Sequence, residues 1–101
     1  MKTYLVTGAA QGIGRAVAVA LGEQGSLAVL NDLHESPALL GLADELKEKG
    51  VHVRLALGDV ADPATAERAF AGLERLDVLV NNAGFLQESP LSEMSFEAWD
   101  R

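Results

Sequence analysis

The chain contains no cysteine, which removes disulfides, thiolate nucleophiles and thiolate metal ligands from consideration. Its two histidines, His34 and His52, stand alone without paired ligands, so no metal site is expected. Positive charge is scarce: 8 Lys and Arg face 15 Asp and Glu, for a formal net charge of -7. Without a basic cluster, nucleic acid and anionic membrane surfaces are poor partners. No apolar run approaches the roughly 18 residues that a membrane span needs. Met1-Lys2 leads into only a short apolar run, unlike a signal peptide. There is no internal repeat, linker or low-complexity tract. The expectation is a soluble, cytoplasmic protein with neither membrane nor nucleic acid among its partners.

What is present suits a packed core. Of 101 residues, 49% are hydrophobic, enough for one small domain spanning residues 1–101. Lys2 to Thr7 reads as a first strand. From Ile13, the apolar residues Ile13, Val17, Ala20 and Leu21 recur at helical spacing, and Gly25 is a natural stop. Ser26 to Asn31 is a mostly continuous apolar run, the pattern of a parallel strand covered on both faces. Ser36-Pro37 starts a second helix, with Leu39, Leu42, Ala43 and Leu46 as its apolar stripe. Its wet face runs from Asp44 to Lys49, with Glu45 and Lys49 paired at i,i+4, and Gly50 ends it. Val51 to Leu57 alternates as a third strand whose His52, Arg54 and Ala56 face is the wetter one. Asp62-Pro63 caps a third helix with Ala66, Phe70 and Leu73 buried, and Leu76 to Val80 is a fourth strand. Phe85 to Glu93 reads as a loop, and Ser95 caps a further helix from Phe96. Strand and helix alternate over short connections, which implies a parallel sheet with right-handed crossovers: a doubly wound α/β fold.

One stretch organises this pattern. Thr7-Gly8-Ala9-Ala10-Gln11-Gly12-Ile13-Gly14 joins the first strand to the first helix. Glycines let the backbone adopt positive φ and let a ligand approach closely. The free N–H groups and positive dipole end of the helix then face a phosphate. An ordinary tight turn is the plain alternative. Asp32 ends the second strand about 18 positions beyond Gly14, where a carboxylate would accept hydrogen bonds from adenosine ribose hydroxyls. It would also repel a 2′-phosphate: at ~4 Å two unit charges cost roughly 1 to 4 kcal/mol, worth tenfold or more in favour of NAD over NADP. A solvated loop carboxylate is the alternative. Asp59 and the Val60 backbone follow the third strand at the same sheet edge, within reach of an adenine, or are merely loop residues. Asn81-Asn82-Ala83-Gly84 follows the fourth strand, with amides able to tie loops together and a glycine open to a ligand, or is a plain turn. Arg15 could approach a phosphate, though a helix-surface role suits it as well.

Taken in register, Thr-Gly-x-x-x-Gly-Ile-Gly, Asp32, Asp59-Val60 and Asn-Asn-Ala-Gly resemble the classical short-chain dehydrogenase/reductase family from Thr7 to Trp99. The resemblance implies a Rossmann-type fold and hydride transfer between a nicotinamide dinucleotide and an alcohol or ketone substrate. It implies that Gly8, Gln11, Gly12, Ile13 and Gly14 line the pyrophosphate and nicotinamide-ribose side. Asp32 would meet the adenosine ribose and Asp59 and Val60 the adenine. Asn82, Ala83 and Gly84 would lie along the cofactor, the asparagine pair also bracing the sheet. In the family a basic residue before the second glycine favours NADP; Gln11 stands there, in agreement with Asp32. The family is often tetrameric, so a homo-oligomer is implied.

The chain departs from the family in its chemistry. The family uses Tyr-x-x-x-Lys, a preceding Ser and an Asn beyond the Asn-Asn-Ala-Gly loop. Tyr4 is the one tyrosine, and Gly8 stands four residues after it. No catalytic residue is therefore assigned. The fourth strand, with no polar alternation, calls for pairing on both edges, and no fifth strand follows it here. The expectation is the N-terminal half of a larger protein, or a partner that supplies the rest. A non-catalytic nucleotide-binding module is the competing reading; an epimerase or dehydratase of related architecture is a third.

Overall fold

A computed structural model describes residues 2–10, 12–59 and 61–82. The elements run β1 (Thr3–Val6), α1 (Gly12–Leu21), β2 (Leu27–Asp32), α2 (Pro37–Glu48), β3 (His52–Leu57), α3 (Pro63–Phe70) and β4 (Val78–Val80). The expected loop at Phe85 to Glu93 and helix from Phe96 lie outside the described residues.

All strand pairs are parallel and the order across the sheet is β3-β2-β1-β4. The chain winds outward from β1 through β2 to β3, then crosses back to place β4 on the other side of β1. This is the doubly wound α/β arrangement that the alternation implied. Residue alternation along each strand feeds two cores. Tyr4, Val6, Ala28 and Leu30 pack with Ala18 of α1 and with Leu39, Leu42 and Leu46 of α2. Leu5, Val29 and Ala56 pack on the opposite face with Ala66 and Ala69 of α3. Each leucine taken fully out of water contributes roughly 1.5–3 kcal/mol.

Local chemistry sets the ends of α2. Ser36 Oγ accepts the Leu39 N–H at 3.1 Å, and Pro37 occupies the first turn, where its missing N–H costs nothing. At the far end Gly50 takes φ +83, so that its own N–H reaches Lys47 O and the Val51 N–H reaches Leu46 O, both at 3.0 Å. This is a Schellman closure, and Leu46 and Val51 are both buried in the same core cluster. Asp62 caps α3 in the same manner as Ser36, accepting the Ala64 N–H at 3.0 Å.

Four details differ from the expectations. The buried face of α1 is Gly14 and Ala18, while Ile13 is 72% exposed. At Gly14 the helix lies so close to the turn leaving β1 that no side chain fits there. Glu45 does not pair with Lys49: it meets Arg15 of α1 at 2.8 Å, and Lys49 Nζ donates to Val19 O at 3.0 Å. Both bonds tie α2 to α1, a tertiary choice that helical spacing does not contain. Ala56, assigned to a wet face of β3, is buried because α3 covers that face. Arg54 on the same face reaches Ala71 O at 2.6 Å, at the end of α3. The fourth strand is shorter than expected, and among the described residues it pairs only with β1. Just ahead of it, the Asp77 carboxylate accepts the Thr3 N–H at 2.7 Å. That bond, with the Arg75 guanidinium beside it, holds the Asp77 carboxyl below the usual carboxylate range.

Tyr4 is fully buried in β1, and its O–H donates to Ala18 O at 2.8 Å. The Gly22 N–H closes on Val19 O at 3.1 Å, so the tyrosine serves a carbonyl of the last turn of α1. Burial pushes the phenol up to about 12. The native state thus holds this proton more tightly than the unfolded chain, whose one tyrosine titrates at about 10. The resulting stability is complete below about pH 10 and is lost as pH rises toward about 12. Tyr4→Phe is expected to cost about 1 kcal/mol at neutral pH. Melting curves should show this deficit shrinking on going from neutral pH to about pH 11, and a deficit constant with pH would contradict the assignment.

Candidate functional site

Because the strands are parallel, their carboxyl ends share one rim. In β1 Val6 pairs with Leu30 and with Val80, and in β2 Asp32 pairs with Leu57. The next residues, Thr7, Gly58 and Asn81, therefore stand together with Asp32 along that edge. The chain leaves β1 toward β2 and β4 returns on the other side, so the rim has its topological switch point between β1 and β4. In such sheets ligands lie at that crevice.

The glycine turn leaves β1 at Thr7, which is buried. The Thr7 N–H donates to Val80 O at 3.0 Å, and its hydroxyl accepts the Asn82 N–H at 2.7 Å and lies 3.1 Å from Asn81 Oδ1. Gly8 and Gly12 both adopt φ +61, the left-handed region that side chains disfavour. Gly14 is required for a different reason. A Cβ there would collide with Gly8 O and would lie 2.8 Å from Asn82 Nδ2. At Gly12, beyond its chain neighbours and the backbone of its own helix, no described atom lies within 4 Å of that position, so the backbone there is open to approach. The first N–H groups of α1 face this opening and carry the positive end of its dipole.

The turn is also stitched to the end of β2. The Ala9 N–H donates to Asn31 O and the Ala10 N–H to Asp32 Oδ2, each at 3.0 Å. Asp32 Oδ1 accepts the Leu33 N–H at 2.8 Å. The carboxylate is partly exposed and forms no ion pair among the described residues. Asn31, only 1% exposed, turns its amide toward β3 and donates to Ala56 O at 2.8 Å and Gly58 O at 3.2 Å. Asp59 is exposed, and its carboxylate accepts the Ala61 N–H at 2.8 Å, an Asx-type turn. Arg15 is occupied with Glu45, a half-exposed pair worth at most about 1 kcal/mol.

Of the residues singled out from sequence, Gly8, Gly12, Ile13, Gly14, Asp32, Asp59 and Asn82 fall within the described residues, on the rim, in the loops that leave it or, for Gly12, Ile13 and Gly14, in the first turn of α1. Gln11, Val60, Ala83 and Gly84 lie outside the described residues. Sequence reasoning passed over Ala10 and Asn31. Ala10 contributes a main-chain amide, which no side-chain pattern marks. Asn31 carried a signal, a lone polar residue closing an apolar strand. Among the described residues no three His, Asp or Glu side chains gather in a way that could hold a metal ion, and no helix is long and apolar enough to cross a membrane.

The family model for short chain dehydrogenase matches residues 2–101. The chain therefore belongs to the short-chain dehydrogenase family of oxidoreductases. A hydroxyacyl-CoA dehydrogenase of Mycobacterium tuberculosis is 38% identical over 106 residues, covering 98% of this chain and 33% of that protein. The crystal structure of L-sorbose reductase from Gluconobacter frateurii, complexed with NADPH and L-sorbose, superposes with a TM-score of 0.70 at 33% identity, covering 98% of this chain and 39% of that one. Carveol dehydrogenase from Mycobacterium avium, in complex with NAD, gives 0.69 at 28% identity, covering 97% of this chain and 41% of that one. The chain thus spans between a third and about two fifths of the length of these three proteins.

The glycines make a graded test. Gly14→Ala is expected to cost up to about 3 kcal/mol, since backbone must move to admit the methyl. Gly12→Ala has room and should cost only its backbone strain, about 1–2 kcal/mol. Gly41, exposed in the middle of α2 with nothing near it, should gain about 0.5–1 kcal/mol as alanine. Denaturant unfolding of the three variants checks the order, and a Gly14→Ala as mild as Gly12→Ala would refute the close approach.

Proposed function

We propose that this chain forms the dinucleotide-holding part of an oxidoreductase that moves a hydride between a nicotinamide cofactor and an alcohol or ketone, with NAD preferred to NADP. The observation that carries the preference is Asp32: a carboxylate fixed by two main-chain N–H bonds at the end of β2, beside the glycine turn, with no described cation paired to it. Gly8, Gln11, Gly12, Ile13 and Gly14 are assigned to the pyrophosphate and nicotinamide-ribose side. The open backbone at Gly12 and the free N–H groups of α1 suit a diphosphate there. Asp32 is assigned to the adenosine ribose, Asp59 and Val60 to the adenine, and Asn82, Ala83 and Gly84 to the length of the cofactor.

Bound nicotinamide would supply the hydride acceptor or donor. The residues of this chain would bind and orient it and would not move the alcohol proton. Tyr4 is unsuited to that task, because its phenol is buried and bonded to Ala18 O. Proton transfer is accordingly assigned to residues outside these 101. A homo-oligomer is the state that the family resemblance implies, and the cytoplasm is the setting proposed from the sequence.

Calorimetric titration of the full-length protein tests the reading. NAD should bind about tenfold or more tightly than NADP, the size expected for a carboxylate facing a 2′-phosphate. Asp32→Ala should weaken NAD and narrow the gap. Equal affinity for the two in the unmodified protein would overturn the role given to Asp32, and heat from neither would overturn the nucleotide assignment.

A further inference from the structure

We infer that Asp32 is also a positioning residue for the glycine turn, so that cofactor choice and the shape of the phosphate-holding backbone depend on one carboxylate. The inference rests on the function proposed above. Between Thr7 and Gly12 the backbone twice adopts φ +61, at Gly8 and at Gly12, a conformation that glycine permits but does not impose, so the turn gains its definition from outside support. Two adjacent amides supply it: Ala9 N–H bonds to the main-chain Asn31 O, and Ala10 N–H bonds to the side-chain Asp32 Oδ2, both at 3.0 Å. The first bond does not involve the side chain of residue 32, and the second depends on an acceptor oxygen there.

Asp32 is itself held on two sides. Its Oδ1 accepts the Leu33 N–H at 2.8 Å, and its main-chain carbonyl accepts the Gly58 N–H at 3.0 Å. The carboxylate therefore has little freedom and transmits the position of β2 to Ala10. A carboxylate offers about four lone-pair directions. Two are taken by the Ala10 and Leu33 amides, and the remainder suffice for a pair of ribose hydroxyls. The brace and the sugar contact coexist on the same group. A bond from an amide to an ionised oxygen is also stronger than one between neutral partners.

Charge and brace separate by substitution. Asp32→Asn removes the charge and keeps one acceptor oxygen in place. Asp32→Ala removes both. If charge were the whole role, the two variants would gain equally toward NADP. The brace predicts otherwise: NADP affinity rises more in Asp32→Asn than in Asp32→Ala, where the turn is loosened.

Two measurements on the full-length protein decide it. Amide hydrogen exchange without nucleotide should show the Ala10 N–H exchanging about tenfold faster in Asp32→Ala than in the unmodified protein, with Asp32→Asn between them. Calorimetric titration should give the stated NADP order. Unchanged Ala10 exchange in Asp32→Ala, or equal NADP gains in both variants, would overturn the inference. Should Asp32→Ala not fold, Asp32→Ser, whose hydroxyl is one atom shorter, takes its place with the same expectations. A protein that binds neither dinucleotide fails the functional reading alone, because the exchange comparison needs no ligand.

Discussion

The close seat of α1 on the sheet is the constraint from which the rest of the structure follows. Gly14 lies against the Gly8 carbonyl and beside the Asn82 amide with no space for a methyl group. Only at that distance can the helix start directly above the end of β1. Only from there do its unpaired N–H groups face the crevice between β1 and β4. A larger inner residue would lift the helix, and the lost contact could not be recovered by repacking, because the neighbour is backbone. The same constraint explains why Ala18 follows on the inner face and why Ile13 turns outward.

Polar groups then fix the rim at which the four strands end. Buried side chains such as Thr7 and Asn31 would be costly in an apolar core, yet each meets backbone partners from a neighbouring strand end. Thr7 joins the exit of β1 to that of β4, and Asn31 joins the exit of β2 to that of β3. With the amides of Ala9 and Ala10 they make the loops at the carboxyl edge one connected surface. The opposite ends of the elements are closed by simpler means: the Schellman turn at Gly50, the Tyr4 hydroxyl on Ala18 and the Arg54 guanidinium on Ala71. These bonds at the carboxyl edge lie where a ligand would need the backbone already in place. That distribution accords with membership of a dehydrogenase family whose solved relatives include complexes with NADPH and with NAD.

Much of this was legible in the residues, where the physics is local. The Ser36-Pro37 and Asp62-Pro63 starts, the stop at Gly50 and the stripe Leu39, Leu42, Ala43 and Leu46 depend on bonds and periodicities within a few positions. The glycine turn and Asp32 were legible for a related reason: strand, glycines, helix and the next strand end come in an order that a parallel crossover must follow. Local patterns fail when two distant segments compete for one group. Glu45 has an eligible partner four residues on, but Arg15 reaches it from another helix. Ala56 alternates with residues of the third strand that looked inward, yet α3 arrives to cover it. Ala10 leaves no trace in a side-chain pattern because its contribution is an N–H.

By itself the sequence determined the alternation of strands and helices, the caps that bound them, the parallel sheet those connections require and the two residue types, glycine and aspartate, that mark the rim. These are consequences of backbone sterics, hydrogen bonding within a turn and the period of apolar residues. The tertiary structure alone decided which face of α1 goes inward, which cation meets Glu45, and that Asp32 grips the main chain of the glycine turn. Those outcomes turn on distances between segments remote in the chain, and such distances exist only once the sheet has assembled and the helices have settled on it.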